Sequence, residues 1–365
     1  MRLDFLPSWR LTVYLAKTFV VRIFAVLAML VLVLQILDLL GTSGEILAVD
    51  GNSEAQLWTY VSLRAPQLVA RFLPYSVLLA TILTLATLNQ NSEVIAMKAA
   101  GLSAHQILAP LVLTAALVSL LSFGFNERIV TRATATLSAW EKADWGPVPV
   151  GSSIKSNIYM ADGDAILVAR TAVGSGDAMR LGGVTWYRRD PNLMLTEQWR
   201  ATDARWTGDG WELSAPRRFT VSTAKLDTMP DTVVGAGITP REIAISSVNA
   251  DAQDIVTLRK SIDALKDAGR RTEELEGRWW HKISGPLSAA LMPLLGAVAA
   301  FGLARSGQLF VRAVIGMALG FAYFVVDNAA LAIGNFGGYP PFLAAWSPFL
   351  LFALIGELVL LKTEE

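Results

Sequence analysis

Six runs of apolar residues, each about as long as a bilayer is thick, fall along the chain in two groups of three. A helix needs roughly 20 such residues to cross the hydrocarbon core of a membrane. In the first group, Ile23 to Leu40 is broken only by Gln35 and Asp38, while Phe72 to Leu88 and Ile107 to Phe125 carry no charge. The second group holds Ile283 to Ala304 with Pro286 and Pro293, Ala313 to Gly334 with Asp327, and Phe342 to Leu361 with Glu357 near its end. Proline is tolerated in a spanning helix when neighbouring helices satisfy the freed carbonyls. The pattern predicts an α-helical membrane protein with six transmembrane helices arranged three plus three.

Between the groups the period changes from helical to alternating. Ile158 to Met160 and Ala165 to Ala169 read as two strands joined by an Asp162-Gly163 turn, followed by strands over Val184 to Tyr187, Glu197 to Trp206 and Trp211 to Val221. Four tryptophans, Trp186, Trp199, Trp206 and Trp211, supply the bulky cross-strand partners that a sheet needs. This reads as an inserted antiparallel β-domain of about 110 residues, large enough for its own core. After it, Ile255, Leu258, Ile262 and Leu265 recur at helical spacing among charged residues, which predicts an amphipathic helix stopping at Gly269. Trp279-Trp280 follows at a position suited to a membrane interface. The resulting division is a first membrane half over 1–125, a β-domain over 126–250, an amphipathic helix and return linker over 251–278, and a second membrane half over 279–365.

Composition adds mainly exclusions. The chain of 365 residues is 53% hydrophobic and 17% charged, and its 31 basic and 31 acidic residues cancel, leaving no overall basic footprint for nucleic acid. There is no cysteine, and His105 and His281 are the only histidines, so disulfides, thiolate metal sites, cysteine nucleophiles and histidine-rich metal sites are ruled out. No GxxxxGK[ST], HExxH or GxSxG occurs, so any energy for work comes from a partner. Charge position also suggests orientation. With a cytoplasmic N-terminus, Arg2, Arg10, Lys17, Lys98, Arg305, Arg312 and Lys362 lie inside, as the positive-inside rule favours. Arg64, Arg71, Arg128 and Arg132 then lie outside, as does the β-domain, and the C-terminus returns to the cytoplasm. No small-residue cleavage motif follows Leu40, so the first span is expected to be a retained anchor.

Ionisable residues inside spans are the default functional candidates, because each costs roughly 2.5–3.5 kcal/mol at mid-bilayer. Asp38 and Glu357 lie near span ends, where an interfacial charge is an ordinary feature, whereas Asp327 lies deeper and suits burial between helices. The most informative segment is the polar insert Asn89 to Ser103 between the second and third spans. Ser92 is placed to cap a short helix with Glu93 in its first turn, Val94 and Met97 share a face, and Gly101 can end it. A short cytoplasmic helix with an exposed methionine, joined rigidly to two spans, is the shape needed to dock into a partner. An amphipathic loop lying on the membrane surface is the alternative.

These residues resemble the LptF/LptG permease family of lipopolysaccharide exporters. The likeness lies in Arg64-Ala65-Pro66, Leu73-Pro74 and the run Asn91 to Ser103, and in Thr257-Leu258-Arg259, Trp280-His281-Lys282 and Gly338 to Trp346. It covers both membrane halves and their spacing, and Leu37-Asp38-Leu39-Leu40 is more similar to the LptG branch than to the LptF branch. The resemblance implies an extracytoplasmic β-jellyroll and a subunit of an ABC transporter in the bacterial inner membrane. It also implies pairing with an LptF-type paralogue, an LptB ATPase dimer, the single-span LptC, and lipopolysaccharide as substrate. On this reading the chain is a non-catalytic permease that binds no cofactor, ATP and Mg being used by the partner. The helix carrying Ser92, Glu93, Val94, Met97 and Lys98 would be the coupling helix, with Glu93 and Met97 as its main contacts. The family uses basic residues near the outer end of the first span, and here that end reads Asp38, Gly41, Thr42, Glu45, with no Lys or Arg. Arg64, Arg71, Arg128 and Arg132 are then the candidates for lipid phosphate, or else interfacial anchors of the helix ends. A membrane-anchored sensor or scaffold that uses the β-domain to bind a partner is the rival from another class. An intramembrane enzyme lacks the paired carboxylates or nucleophile and base that it would need.

Overall fold

The computed structural model describes residues 6–148, 155–174, 176–246, 248–267, 269–301 and 309–364. Arg2, Arg305 and the last residues of the expected span Ile283 to Ala304 lie outside them. In chain order the elements are α1 (Trp9–Leu47), α2 (Glu54–Gln90), α3 (Glu93–Ala99), α4 (Ala104–Phe125), a π-helical turn (Asn126–Val130) and α5 (Thr131–Lys142). Eight strands follow: β1 (Lys155–Asp162), β2 (Ala165–Val173), β3 (Arg180–Arg189), β4 (Leu195–Trp206), β5 (Trp211–Leu213), β6 (Arg217–Thr220), β7 (Lys225–Thr228) and β8 (Thr232–Val234). The chain closes with α6 (Pro240–Ser246), α7 (Ile255–Asp267), α8 (Glu273–Phe301), α9 (Leu309–Asn335) and α10 (Pro341–Glu364). It divides into two compact units, one of residues 1–41, 64–131 and 253–365, the other of residues 42–63 and 132–252.

The first unit is helical. Among the described residues five helices are long and apolar enough to cross a membrane: Trp9–Leu47, Glu54–Gln90, Ala104–Lys142, Val314–Asn335 and Pro341–Leu358. The expected span from Ile283 falls in α8. Two of the helices outrun their apolar runs, since 39 residues of α1 extend roughly 58 Å, about twice the hydrocarbon thickness. Leu15, Phe19, Ile23 and Leu27 form a stripe at four-residue spacing on α1 and are buried with Val77, Leu78 and Leu85 of α2. Ile107, Leu108 and Leu111 of α4, Leu291, Met292 and Leu295 of α8, Tyr323 of α9 and Phe352 of α10 belong to the same core. The remaining faces are apolar and exposed, as in Leu117, Leu120 and Leu121 of α4 or Leu354 and Leu358 of α10, which is the surface that hydrocarbon solvates. Where α8 crosses α2, a side chain at Gly296 would place its Cβ 2.7 Å from Thr81 Cγ2 and 3.0 Å from its Cβ, so only glycine permits this approach.

The second unit holds the sheet. It is antiparallel throughout, in the order β1-β2-β3-β4-β5-β8, with β6 pairing to β4 and β7 to β6. Ile158, Leu167, Ala169, Leu181, Val184, Trp186, Ala204 and Leu213 are buried on it together with Ile238 and with Ile243 of α6. Trp211 is fully buried at its centre, and its indole N–H donates to the Ile238 carbonyl at 2.7 Å, satisfying the one polar atom the ring brings inside. The expected single strand Trp211 to Val221 is two strands. Ser214-Ala215-Pro216 breaks it: Ala215 has a φ of +40°, proline cannot donate, and Ser214 N–H and Oγ turn to the carbonyl and carboxylate of Asp203. Strands β7 and β8 were not legible as apolar runs, because β7 is exposed along its length.

The stretch from Asn126 to Lys142, expected to open the β-domain, is helical. Its last turn anchors a tryptophan cluster within the second unit. Trp140 is fully buried and donates to the Gly146 carbonyl, Trp145 packs edge-on against it and against Tyr60, and Asn52 donates to the carbonyls of Ile46 and Trp145 at 2.8 Å each.

Candidate functional site

The helix α3 is fixed at its C-terminus by backbone hydrogen bonds and at its N-terminus by side chains. Its C-terminus is a Schellman motif, in which Gly101 N–H reaches Lys98 O and Leu102 N–H reaches Met97 O, and the φ of +89° at Gly101 is what the motif demands. One residue later Ser103 caps α4 in a full capping box with Gln106. The N-terminal expectation is corrected. Ser92 adopts a left-handed φ of 59° and its side chain makes no cap hydrogen bond. Glu93 instead accepts from Tyr14 Oη at 3.1 Å and from Asn91 Nδ2 at 3.2 Å, tying the start of α3 to α1.

The expected outward methionine is also corrected. Val94 and Met97 share a face, but that face is buried, at 5% and 8% exposure, in the helical core with Ile107 and Leu108 of α4. Val94 and Met97 are the buried side chains that pack this seven-residue helix against its neighbours. The outward face is therefore Ile95, which is 67% exposed, together with Ala96, Lys98 and Ala99. Ile95 was not singled out from sequence, although an isoleucine two residues before a buried methionine on a helix is necessarily on another face.

Of the four outer arginines, Arg64 is already engaged. Its Nε and Nη2 bind Asp38 at 3.0 and 2.9 Å in a bidentate fork, and Nη1 donates to Gln67. The two residues expected to play separate roles thus neutralise each other, so a carboxylate at the end of the first span occurs without a free charge. Arg71, Arg128 and Arg132 are exposed and form no ion pair with the described residues.

Two polar pairs are packed inside the helical unit. Asp327 Oδ2 lies 3.0 Å from His281 Nε2, its side chain is 8% exposed, and its Oδ1 is buried without a hydrogen-bond partner among the described residues. Glu127, on the π-helical turn, binds Lys282 Nζ at 3.3 Å with side chains 12% and 8% exposed, and it also accepts the Ile255 backbone N–H. Glu127 was not singled out from sequence, and Lys282 entered only as part of the Trp280-His281-Lys282 likeness, without a partner. The available signal was one acid and one base of opposite sign at the ends of consecutive spans. At the far end of the unit His105 pairs with Glu357 at 3.0 Å.

On the linker side, Asp254 caps α7, its Oδ1 accepting from Val256 and Thr257 N–H and its Oδ2 from the Thr257 hydroxyl. The Thr257 bonds hold the Asp254 carboxyl below its ordinary pKa. The apolar side of α7, Leu258, Ile262 and Leu265, is buried, and Trp279 donates to the Ile255 carbonyl while its ring takes the Arg259 guanidinium at 5.6 Å.

The geometry is that of a membrane helix bundle with a clamped projecting helix, exposed arginines and a separately cored sheet. Comparison with known proteins agrees with it over nearly the whole length. The family described as lipopolysaccharide export system permease LptF/LptG matches residues 13–362. The lipopolysaccharide export system permease protein LptG of Escherichia coli K12 is 27% identical over 361 residues, covering 96% of this chain and 97% of that protein. Its counterpart in Haemophilus influenzae Rd is 24% identical over 351 residues, covering 94% and 95%.

Proposed function

The chain belongs to the LptF/LptG family of lipopolysaccharide export permeases, and on that premise we propose that it is the LptG-type permease subunit of an ABC transporter. It would extract lipopolysaccharide from the outer leaflet of the bacterial inner membrane and pass it to its own β-domain, towards the outer membrane. The observation that carries this reading is that one family spans helices and sheet alike, residues 13–362, so the two units serve one task.

In this account six helices cross the inner membrane, both termini are cytoplasmic, and the sheet belongs to a periplasmic β-jellyroll. An LptF-type paralogue completes the pathway, an LptB dimer supplies ATP hydrolysis with Mg, LptC joins the complex, and this chain holds no cofactor. The physical demand on such a machine is a continuous apolar route. Drawing on the order of 60 methylenes into water at ~0.8 kcal/mol each costs roughly 50 kcal/mol. The acyl chains therefore pass from bilayer to an apolar cavity between the paralogues and on to the apolar interior of the β-domain. The α3 helix is the contact with the ATPase. It is clamped to α4 at Gly101 and Ser103 and tied to α1 through Glu93, so movement imposed on it passes into those helices without being lost in a flexible loop. The burial of Val94 and Met97 makes Ile95 and Lys98 the contacting residues, with Glu93 holding the helix to α1. Arg71, Arg128 and Arg132 take the lipid phosphates, and Arg64 holds Asp38.

Purification from its own membranes in mild detergent tests the assignment. Recovery of a soluble ATPase and a second permease with the chain supports export, and recovery of the chain alone contradicts it. Replacing Arg128 and Arg132 with Ala should weaken lipopolysaccharide crosslinking in the reconstituted complex, and unchanged crosslinking would remove the phosphate role.

A further inference from the structure

Glu127 stands where the helix that begins at Ala104 changes its hydrogen bonding. Thr131 N–H reaches five residues back to the Asn126 carbonyl, and the Thr131 hydroxyl, itself buried, supplies the Glu127 carbonyl at 2.8 Å. Such π-helical turns hold one residue more than a regular turn and recur at functional places. Both oxygens of the Glu127 carboxylate are engaged. Oε1 accepts from Lys282 Nζ on α8, and Oε2 accepts from the backbone N–H of Ile255, the first residue of α7.

That last bond is unusual in what it completes. The leading N–H groups of a helix have no partner within the helix. In α7, Asp254 takes those of Val256 and Thr257, and the first is taken by a residue of another helix. The Ile255 carbonyl is held as well, by Trp279 of α8. The first residue of the element that follows the β-domain in the chain is therefore held on both of its backbone groups, its N–H by the Glu127 carboxylate and its carbonyl by Trp279, while the rest of α7 is held by its buried apolar face and by the Lys266–Glu276 bridge.

We infer that Glu127 is a positioning residue, a latch through which movement of the helix bundle reaches α7 and so the segment leaving the β-domain; this rests on the export reading given above. Two physical points support a latch over simple adhesion. Replacing a buried ion pair by apolar residues of the same volume is often neutral or stabilising, so adhesion of two helices does not by itself call for a charge here. The π-helical turn also has a discrete alternative. Absorbing its extra residue into regular α-geometry would turn Glu127 by about 100°, releasing Lys282 and Ile255 together.

Two double variants in the complete reconstituted complex separate the latch from a structural ion pair. Glu127→Lys with Lys282→Glu restores opposite charges but leaves the Ile255 N–H facing an ammonium, which cannot accept. Glu127→Gln with Lys282→Met removes both charges but keeps an amide oxygen for Ile255. The readouts are ATPase activity and ATP-dependent crosslinking of lipopolysaccharide to a photoreactive residue at Met160 in the β-domain. The latch predicts ATPase activity retained in both, crosslinking near the wild-type level in the Gln/Met variant, and crosslinking lowered about tenfold in the swapped variant. The reverse order, or a swapped variant that transfers normally, would overturn it. Amide exchange in the wild-type complex tests it without substitution: protection of the Ile255 amide should change between nucleotide-free and ATP-analogue states, and constant protection would overturn the latch. A wild-type complex that forms no adduct at Met160 would refute the export reading, while the exchange result still decides on the latch.

Discussion

Replacing Ile95 with aspartate separates the two faces of α3. Ile95 is 67% exposed, whereas Val94 and Met97 on the opposite face are 5% and 8% exposed. Full burial of an isoleucine side chain stabilises by roughly 1.5–3 kcal/mol. About two thirds of that is outstanding here, so a partner that covers Ile95 gains about 1–2 kcal/mol, a factor of roughly 5–30 in affinity. Aspartate forfeits this gain and adds a charge to be desolvated. In the detergent-purified complex, Ile95→Asp should therefore lower retention of the ATPase subunit at least fivefold while leaving the chain's own thermal unfolding within about 0.5 kcal/mol of wild type. Met97→Ala should do the opposite, destabilising the bundle by about 2–5 kcal/mol through the cavity it leaves. The measurements are the ATPase recovered per chain, over a dilution series, and the unfolding midpoint in the same detergent. If Ile95→Asp retains the ATPase at the wild-type level, or unfolds as readily as Met97→Ala, the assignment of the outward face is wrong.

Three further outcomes follow from the packing. Gly296→Val drives a branched side chain into Thr81 and should cost about 1–3 kcal/mol in thermal unfolding, more than Gly296→Ala. Arg64→Ala removes the bidentate fork from the half-buried Asp38 carboxylate and should destabilise the chain, and adding Asp38→Asn should recover part of the loss; a double-mutant cycle without coupling would contradict the fork. Asp254→Ala should loosen the first turn of α7 by about 1 kcal/mol, seen as faster amide exchange. Because its hydrogen bonds lower the Asp254 pKa, its contribution is complete above the ordinary aspartate range and is lost as pH falls through the depressed value, so protection of the first-turn amides of α7, taken relative to their intrinsic exchange rate at each pH, should fall on acidification in wild type but not in the variant.

The parts of the molecule that were legible in sequence are those set by hydrophobic period. Uncharged runs such as Ile107 to Phe125, the alternation in Ala165 to Ala169, and the spacing of Leu258, Ile262 and Leu265 each had one economical reading. What escaped was decided by partners far along the chain. Lys142 ends a helix that began at Ala104, and the polar sequence after Phe125 gave no sign of it, because its burial comes from tertiary contacts of Trp140 and Leu137. The strand break at Pro216 carried a sequence signal, a proline after Ser214-Ala215, that the apolar run around it masked. On α3 the periodicity placed Val94 and Met97 on one face correctly but was silent on whether that face looks in or out, since a helix this short is held by its neighbours and not by its own pattern. Asp38 and Arg64 were both visible as charges in apolar surroundings, and only the fold shows that they answer each other across 26 residues.

The claim that the two units form one export path is tested most directly by following the lipid. With a photoreactive residue at Met160 and the complete complex in vesicles, the account predicts lipopolysaccharide adducts in the β-domain that appear with ATP and vanish with a hydrolysis-deficient ATPase subunit. Equal adducts with and without ATP, or none beside an active ATPase, would contradict it.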